Sequence, residues 1–166
     1  MIRLTEKLDT PNATPDGSLS LSIDQRIKSR LKVTLDDGRD AGLFLPRGLI
    51  LRGGDCLKSD CGLTIEVKAS AETVSTVHCD DTLLLARVSY HLGNRHVPLQ
   101  IAPRFVRYQH DHVLDAMVEG LGAKVICEQQ PFEPEAGAYS SEGGGHSHSH
   151  SHDHSHDPSH DHTHSQ

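Results

Sequence analysis

The sequence predicts an α+β chain in three parts: a small all-β domain over 1–70, a βαββαβ domain over 71–135, and a disordered His-rich tail over 136–166. Three observations carry this. In the first part, short alternating apolar runs recur with turn residues every ~8–12 positions, the signature of a small sandwich or barrel. In the second, two stretches with helical apolar spacing sit among short runs rich in β-branched residues. In the third, from Ser140 onward, there is no Ala, Val, Ile, Leu, Met, Phe, Trp, Tyr or Cys, so nothing offsets the entropy of ordering.

The elements of the first part follow in order. Ser18–Ile23 alternates loosely. Leu31, Val33 and Leu35 alternate with Lys32 and Thr34, and Asp36-Asp37-Gly38 supplies the hairpin turn to a return strand, Ala41–Leu45. Pro46-Arg47-Gly48 is a turn, Leu49–Leu51 a short strand, and Arg52-Gly53-Gly54-Asp55 another turn. Leu63–Lys68 is a cleanly alternating strand, and no helical period shows in this part.

In the second part Thr73–His78 is a strand. Asp80-Asp81 suits a helix N-terminus, where negative charge is favoured. Leu84, Val88 and Leu92 then give one helical face, with Gly93 as its C-terminal cap. Val97–Ile101 and Phe105–Tyr108 are strands around an Ala102-Pro103 turn. Asp111 caps a second helix with an apolar stripe of Val113, Leu114, Met117, Val118 and Leu121, ended by Gly120 and Gly122, and Ala123–Glu128 is the last strand. This order is the ferredoxin-like split βαβ arrangement, an antiparallel sheet with both helices on one face. Its other face must be covered or carry function.

Composition excludes several classes. The 166 residues carry a formal net charge of −7 with no Trp. Residues 1–139 are about 42% apolar, in the globular range. An acidic chain poor in aromatics is not built for nucleic acid. No apolar run approaches the ~20 residues of a membrane span, and the N-terminus has no signal-like apolar segment. The expected compartment is therefore the cytoplasm, where Cys56, Cys61, Cys79 and Cys127 stay reduced. Cys56 and Cys61 have the spacing of half a zinc site but lack a second pair. There is no HExxH, phosphate loop, dinucleotide fingerprint or G-x-S-x-G, so an enzyme is not expected.

Histidine carries the chemistry. The tail holds His146, His148, His150, His152, His154, His156, His160, His162 and His164, nine of the fourteen, with four acids and no Lys or Arg. Alternate spacing on a flexible chain lets two or three imidazoles converge on one ion. Nitrogen and carboxylate donors without thiolate suit Ni(II), Cu(II), Zn(II) or Co(II). The five remaining His are less decided by spacing. His91 and His96 straddle the end of the first helix and need not face one site. His110-Asp111-His112 reads equally as two ligands flanking an acid or as an N-cap between two exposed His. His78 ends a strand at an apolar position and reads as a packed or edge residue.

Five runs go beyond pattern: Leu45-Pro46-Arg47-Gly48, Leu51-Arg52-Gly53-Gly54-Asp55-Cys56-Leu57, the run from His91 through Gly93-Asn94-Arg95-His96 to Gln100, Tyr108-Gln109-His110-Asp111-His112-Val113-Leu114, and Leu121-Gly122-Ala123-Lys124-Val125. In order and spacing they closely resemble the UreE family of urease accessory proteins across nearly all of 1–135. The resemblance implies a cytoplasmic nickel metallochaperone that hands Ni(II) to urease during assembly of its metallocentre. It implies an N-terminal domain that binds protein or peptide and a homodimer joined through the C-terminal domains. It also implies partners in the urease-maturation GTPase UreG and the urease apoprotein complex. His96 then faces its symmetry mate, so that one nickel is shared, and His110 and His112 match positions that hold additional, weaker metal. Asp111 is a weaker candidate. Two rivals remain in the sequence, a metal-storage protein in which the tail is the whole function and a peptide-binding scaffold in which metal is incidental. Neither needs His96 in its motif.

Overall fold

The computed structural model describes residues 1–11 and 14–137. The expected disorder of the tail, and all nine of its His, lie outside the described residues. Met1–Glu135 forms one compact unit containing two sheets.

The first sheet has six strands: β1 (Ile2–Lys7), β2 (Gly17–Leu21), β3 (Arg30–Thr34), β4 (Asp40–Phe44), β5 (Cys56–Ser59) and β6 (Thr64–Ala69), in the order β2-β6-β5-β1-β4-β3. β1 and β4 pair in parallel, as do β2 and β6, and the remaining pairs are antiparallel. Alternation places Leu4, Leu19, Leu21, Val33, Leu43 and Ile65 on the inner face, all buried. The edge strands β2 and β3 are drawn together by Asp36, just beyond β3. Its backbone N–H donates to Ser18 O at 2.9 Å, and its carboxylate accepts from Ser18 Oγ at 2.6 Å and from the Ser20 N–H at 3.0 Å. The sheet thus curls toward closure around its core.

Four details differ from expectation here. β1 and β5 each carry only two strongly apolar residues at most, too few to register as strands. Ser22 onward turns into a single helical turn, α1 (Ile23–Arg26), with Ser22 and Gln25 forming a capping box. Leu49–Leu51 is not a strand. The Leu51 N–H donates to Arg26 O and the Leu51 carbonyl accepts from the Arg26 guanidinium, so no ladder is needed.

The second sheet is antiparallel in the order β10-β7-β9-β8. Its domain runs β7 (Ala71–His78), α2 (Thr82–Asn94), β8 (Gln100–Ala102), β9 (Phe105–Gln109), α3 (His112–Gly120) and β10 (Ile126–Pro131). The architecture is therefore an N-terminal β domain followed by a C-terminal α+β domain. Both helices cover one face: Leu85, Val88 and Leu92 of α2 and Leu114 and Val118 of α3 pack with Val77, Val106 and Tyr108. Part of the other face meets the first domain. Val74 of β7 packs with Ile23 of α1 and with Phe132, and Ile50 leans on them.

The α2 stripe keeps Val88 and Leu92 as expected and differs only at its start. Leu85 is buried, Leu84 only partly, and Val113 of α3 is exposed. Gly93 lies inside α2 and does not cap it, for Arg95 is the C-cap. The strand expected over Val97–Ile101 is shorter, β8, and the last begins at Ile126. Gly122, at φ 96°, turns the chain first. Pro131 sits on β10, an edge strand, where its missing N–H costs the ladder nothing.

The domains are locked by Arg26, which is fully buried. Its guanidinium donates to the carbonyls of Leu21, Leu51 and Phe132 and pairs with Glu133.

Candidate metal-binding histidines

His96 stands in the connection between α2 and β8. Its N–H donates to Gly93 O at 2.9 Å, closing the helix end. Among the described residues it is the one non-glycine with positive φ, at 56°. A side chain in that region costs about 1–2 kcal/mol, so Gly or Asn is the usual occupant. The strain is retained with an exposed imidazole, on the rim of a cleft of about 420 Å³ lined by Ile23, Ile27 and Ile50 from the first domain and by Val97 and Pro98.

His91, on the last turn of α2, is half-buried and meets the Tyr90 ring edge-on at 5.3 Å. His78 is exposed rather than packed into an apolar site, and its ring leans on Phe105 at 5.6 Å.

His110 and His112 lie at the start of α3, both exposed. Asp111 between them is the N-cap. Its Oδ1 accepts from the N–H groups of Val113 at 2.8 Å and Leu114 at 3.1 Å, and the Leu114 and Val113 amides hold its carboxyl below the usual range. His110 is the better supported of the pair. Its Nδ1 lies 3.1 Å from Ser75 Oγ and 3.2 Å from Asp115 Oδ2. Asp115 in turn accepts from the buried Tyr108 hydroxyl at 2.6 Å. Burial, then the neighbouring carboxylate, pushes the Tyr108 pKa up strongly, so the phenol stays a donor. Sequence reasoning missed these partners. The signal was present: Tyr108 on β9 and His110, just past its end, are two apart, the spacing that extended backbone puts on one face.

Among the described residues no three His, Cys, Asp or Glu side chains gather into a metal cluster. None of the four Cys is in a disulfide. Cys56 is buried and Cys61 exposed, with the Cys61 sulfur 3.2 Å from Ser59 Oγ. His96, His91 and the His110–His112 pair are thus single donors or pairs on the surface of the C-terminal domain.

The described residues thus define a two-domain α+β protein with imidazoles set singly on its surface. Residues 2–70 match the family model of the UreE urease accessory protein N-terminal domain, and residues 72–164 match that of its C-terminal domain. A urease accessory protein UreE from Tolumonas auensis is 63% identical over 148 residues, 87% of this chain and 79% of the relative. One from Pseudomonas putida strain W619 is 61% identical, covering 85% and 88%. One from Escherichia coli O157:H7 is 54% identical, covering 89% and 96%. The chain belongs to the UreE family of urease accessory proteins. Among the described residues no helix is long and apolar enough to cross a membrane.

Proposed function

We propose that this chain is a cytoplasmic nickel metallochaperone, not an enzyme, that delivers Ni(II) to urease during assembly of its metallocentre. The observation that carries the reading is His96. A strained backbone kept at an exposed, single donor is a cost to stability that function must justify. One His per chain becomes two where identical surfaces meet on a two-fold axis. The working form is then a homodimer joined through the C-terminal domains, with one nickel between the two His96 rings. Few protein ligands leave the ion open to exchange with a partner, as delivery requires.

His110 and His112 hold further, weaker metal. The nine tail His collect nickel and can also take Cu(II), Zn(II) or Co(II). The Irving–Williams order favours copper, so nickel selectivity rests on supply and partners. Those partners are the GTPase UreG and the urease apoprotein complex. We divide the chain at 1–70, 71–135 and 136–166, and read the second part as ferredoxin-like, which the strand order β10-β7-β9-β8 and the alternation of elements support. The test is urease activation at limiting nickel. His96→Ala should abolish it, and full activation by that variant would overturn the reading.

A further inference from the structure

Asp115 stands between Tyr108 and His110, and its carboxylate is directed by both. Tyr108, fully buried, donates its hydroxyl to Oδ1 at 2.6 Å. The other oxygen, Oδ2, lies 3.2 Å from His110 Nδ1. An ionised carboxylate only accepts, so a lone pair on Nδ1 at that distance would be repelled. Placing the hydrogen on Nδ1 relieves that repulsion and turns the contact into an attraction between the ring N–H and the carboxylate. Ser75 Oγ, at 3.1 Å from the same nitrogen, shares this hydrogen or turns its own elsewhere. Nε2 is then the bare nitrogen, and it has no partner among the described residues.

We infer that Asp115 is a positioning residue for His110: it fixes the ring and its tautomer so that the Nε2 lone pair is presented outward to a divalent metal ion, with Tyr108 anchoring the carboxylate from the core. The inference rests on His110 binding metal, as proposed above, and adds what makes it a ligand. Carboxylate support of this kind raises the basicity of the free nitrogen and changes metal affinity about 10–100-fold. His112, without such support, is the weaker ligand of the two.

The test is long-range ¹H–¹⁵N correlation of the His rings in the full chain, at a pH of about 8 where imidazole is neutral, followed by titration with chelator-buffered free Ni(II). The native protein should show His110 with hydrogen on Nδ1. In Asp115→Asn the Tyr108 hydroxyl claims the amide oxygen, which turns the amide NH₂ toward Nδ1 and moves the ring hydrogen to Nε2. The free nickel needed to broaden the His110 signals by half should rise about 10–100-fold. Tyr108→Phe, which leaves the carboxylate in place, should shift both readouts less, in the same direction, and serves if Asp115→Asn folds poorly. An unchanged tautomer, or a changed tautomer with an unchanged nickel midpoint, would overturn the inference. If native His110 never responds while His96 does, the inference is overturned and delivery through His96 stands. If His110 responds as expected and His96 is silent, the inference is supported and the delivery reading is lost.

Discussion

Arg26→Met should destabilise the protein by about 3–5 kcal/mol, the cost of the buried acceptors it leaves without a donor. The side chain is fully buried. Its donors meet the carbonyls of Leu21 at 3.3 Å and Leu51 at 3.1 Å, the carbonyl of Phe132, and Glu133. Methionine fills similar volume but donates nothing. Glu133 is 31% exposed and recovers much of its loss from water, so it adds little. The carbonyls of Leu51 and Phe132 carry the cost, each stranded acceptor being worth about 1–3 kcal/mol, while the Leu21 carbonyl keeps the Ser70 N–H at 3.0 Å. Against a total stability of about 5–15 kcal/mol, this is a large fraction. Urea denaturation followed by circular dichroism measures it. With a slope of about 1–3 kcal/mol per molar, the midpoint should fall by at least about 1 M. Arg26→Lys should recover only part, because one ammonium cannot reproduce the fork that spans both domains. If Arg26→Met stays within about 1 kcal/mol of the native chain, the guanidinium is not what joins the domains, and the reasoning fails.

Phe132→Ala should cost about 3–5 kcal/mol in the same assay, because the ring is fully buried between Ile23 and Val74. His96→Gly should be neutral or stabilising by up to about 1 kcal/mol, since glycine adopts φ 56° without strain, and a destabilised variant would contradict the assigned backbone. Asp36 has a folded pKa lowered below 3.8 chiefly by the Ser18 hydroxyl. Its contribution is thus present above its unfolded pKa and is lost as pH falls through the folded value. The stability gap between native and Asp36→Asn should shrink below about pH 4, and a gap constant between pH 6 and 2 would refute the assignment.

What the sequence revealed follows from how local each cause is. The strands around Val33, Leu43 and Val67 were legible because alternation and a glycine turn are written in neighbouring residues. β1 and β5 were not, because their place is set by pairing with distant strands. The helix cap Asp111 was read correctly, accepting from two amides, and the Asp80-Asp81 pair marked a helix start whose N-cap is Asp81. The cap assigned to Gly93 was misplaced. The turn falls three residues later, on His96, where no propensity would put it. Arg26 was invisible as a core residue because arginine is normally exposed and its acceptors come from positions 25 and 106 residues away. The His110–Asp115 contact joins a strand end to a helix face across a turn, which spacing alone left undecided.

The most direct test of the central claim is equilibrium dialysis of nickel against a chain ending at residue 142, paired with its His96→Gly variant. The chain keeps every core cluster of the folded unit and lacks the tail His. The account predicts a tightest site filled by one nickel per two chains and absent in His96→Gly. Equal nickel binding by the two, or none by either, would contradict it and leave the tail as the metal site.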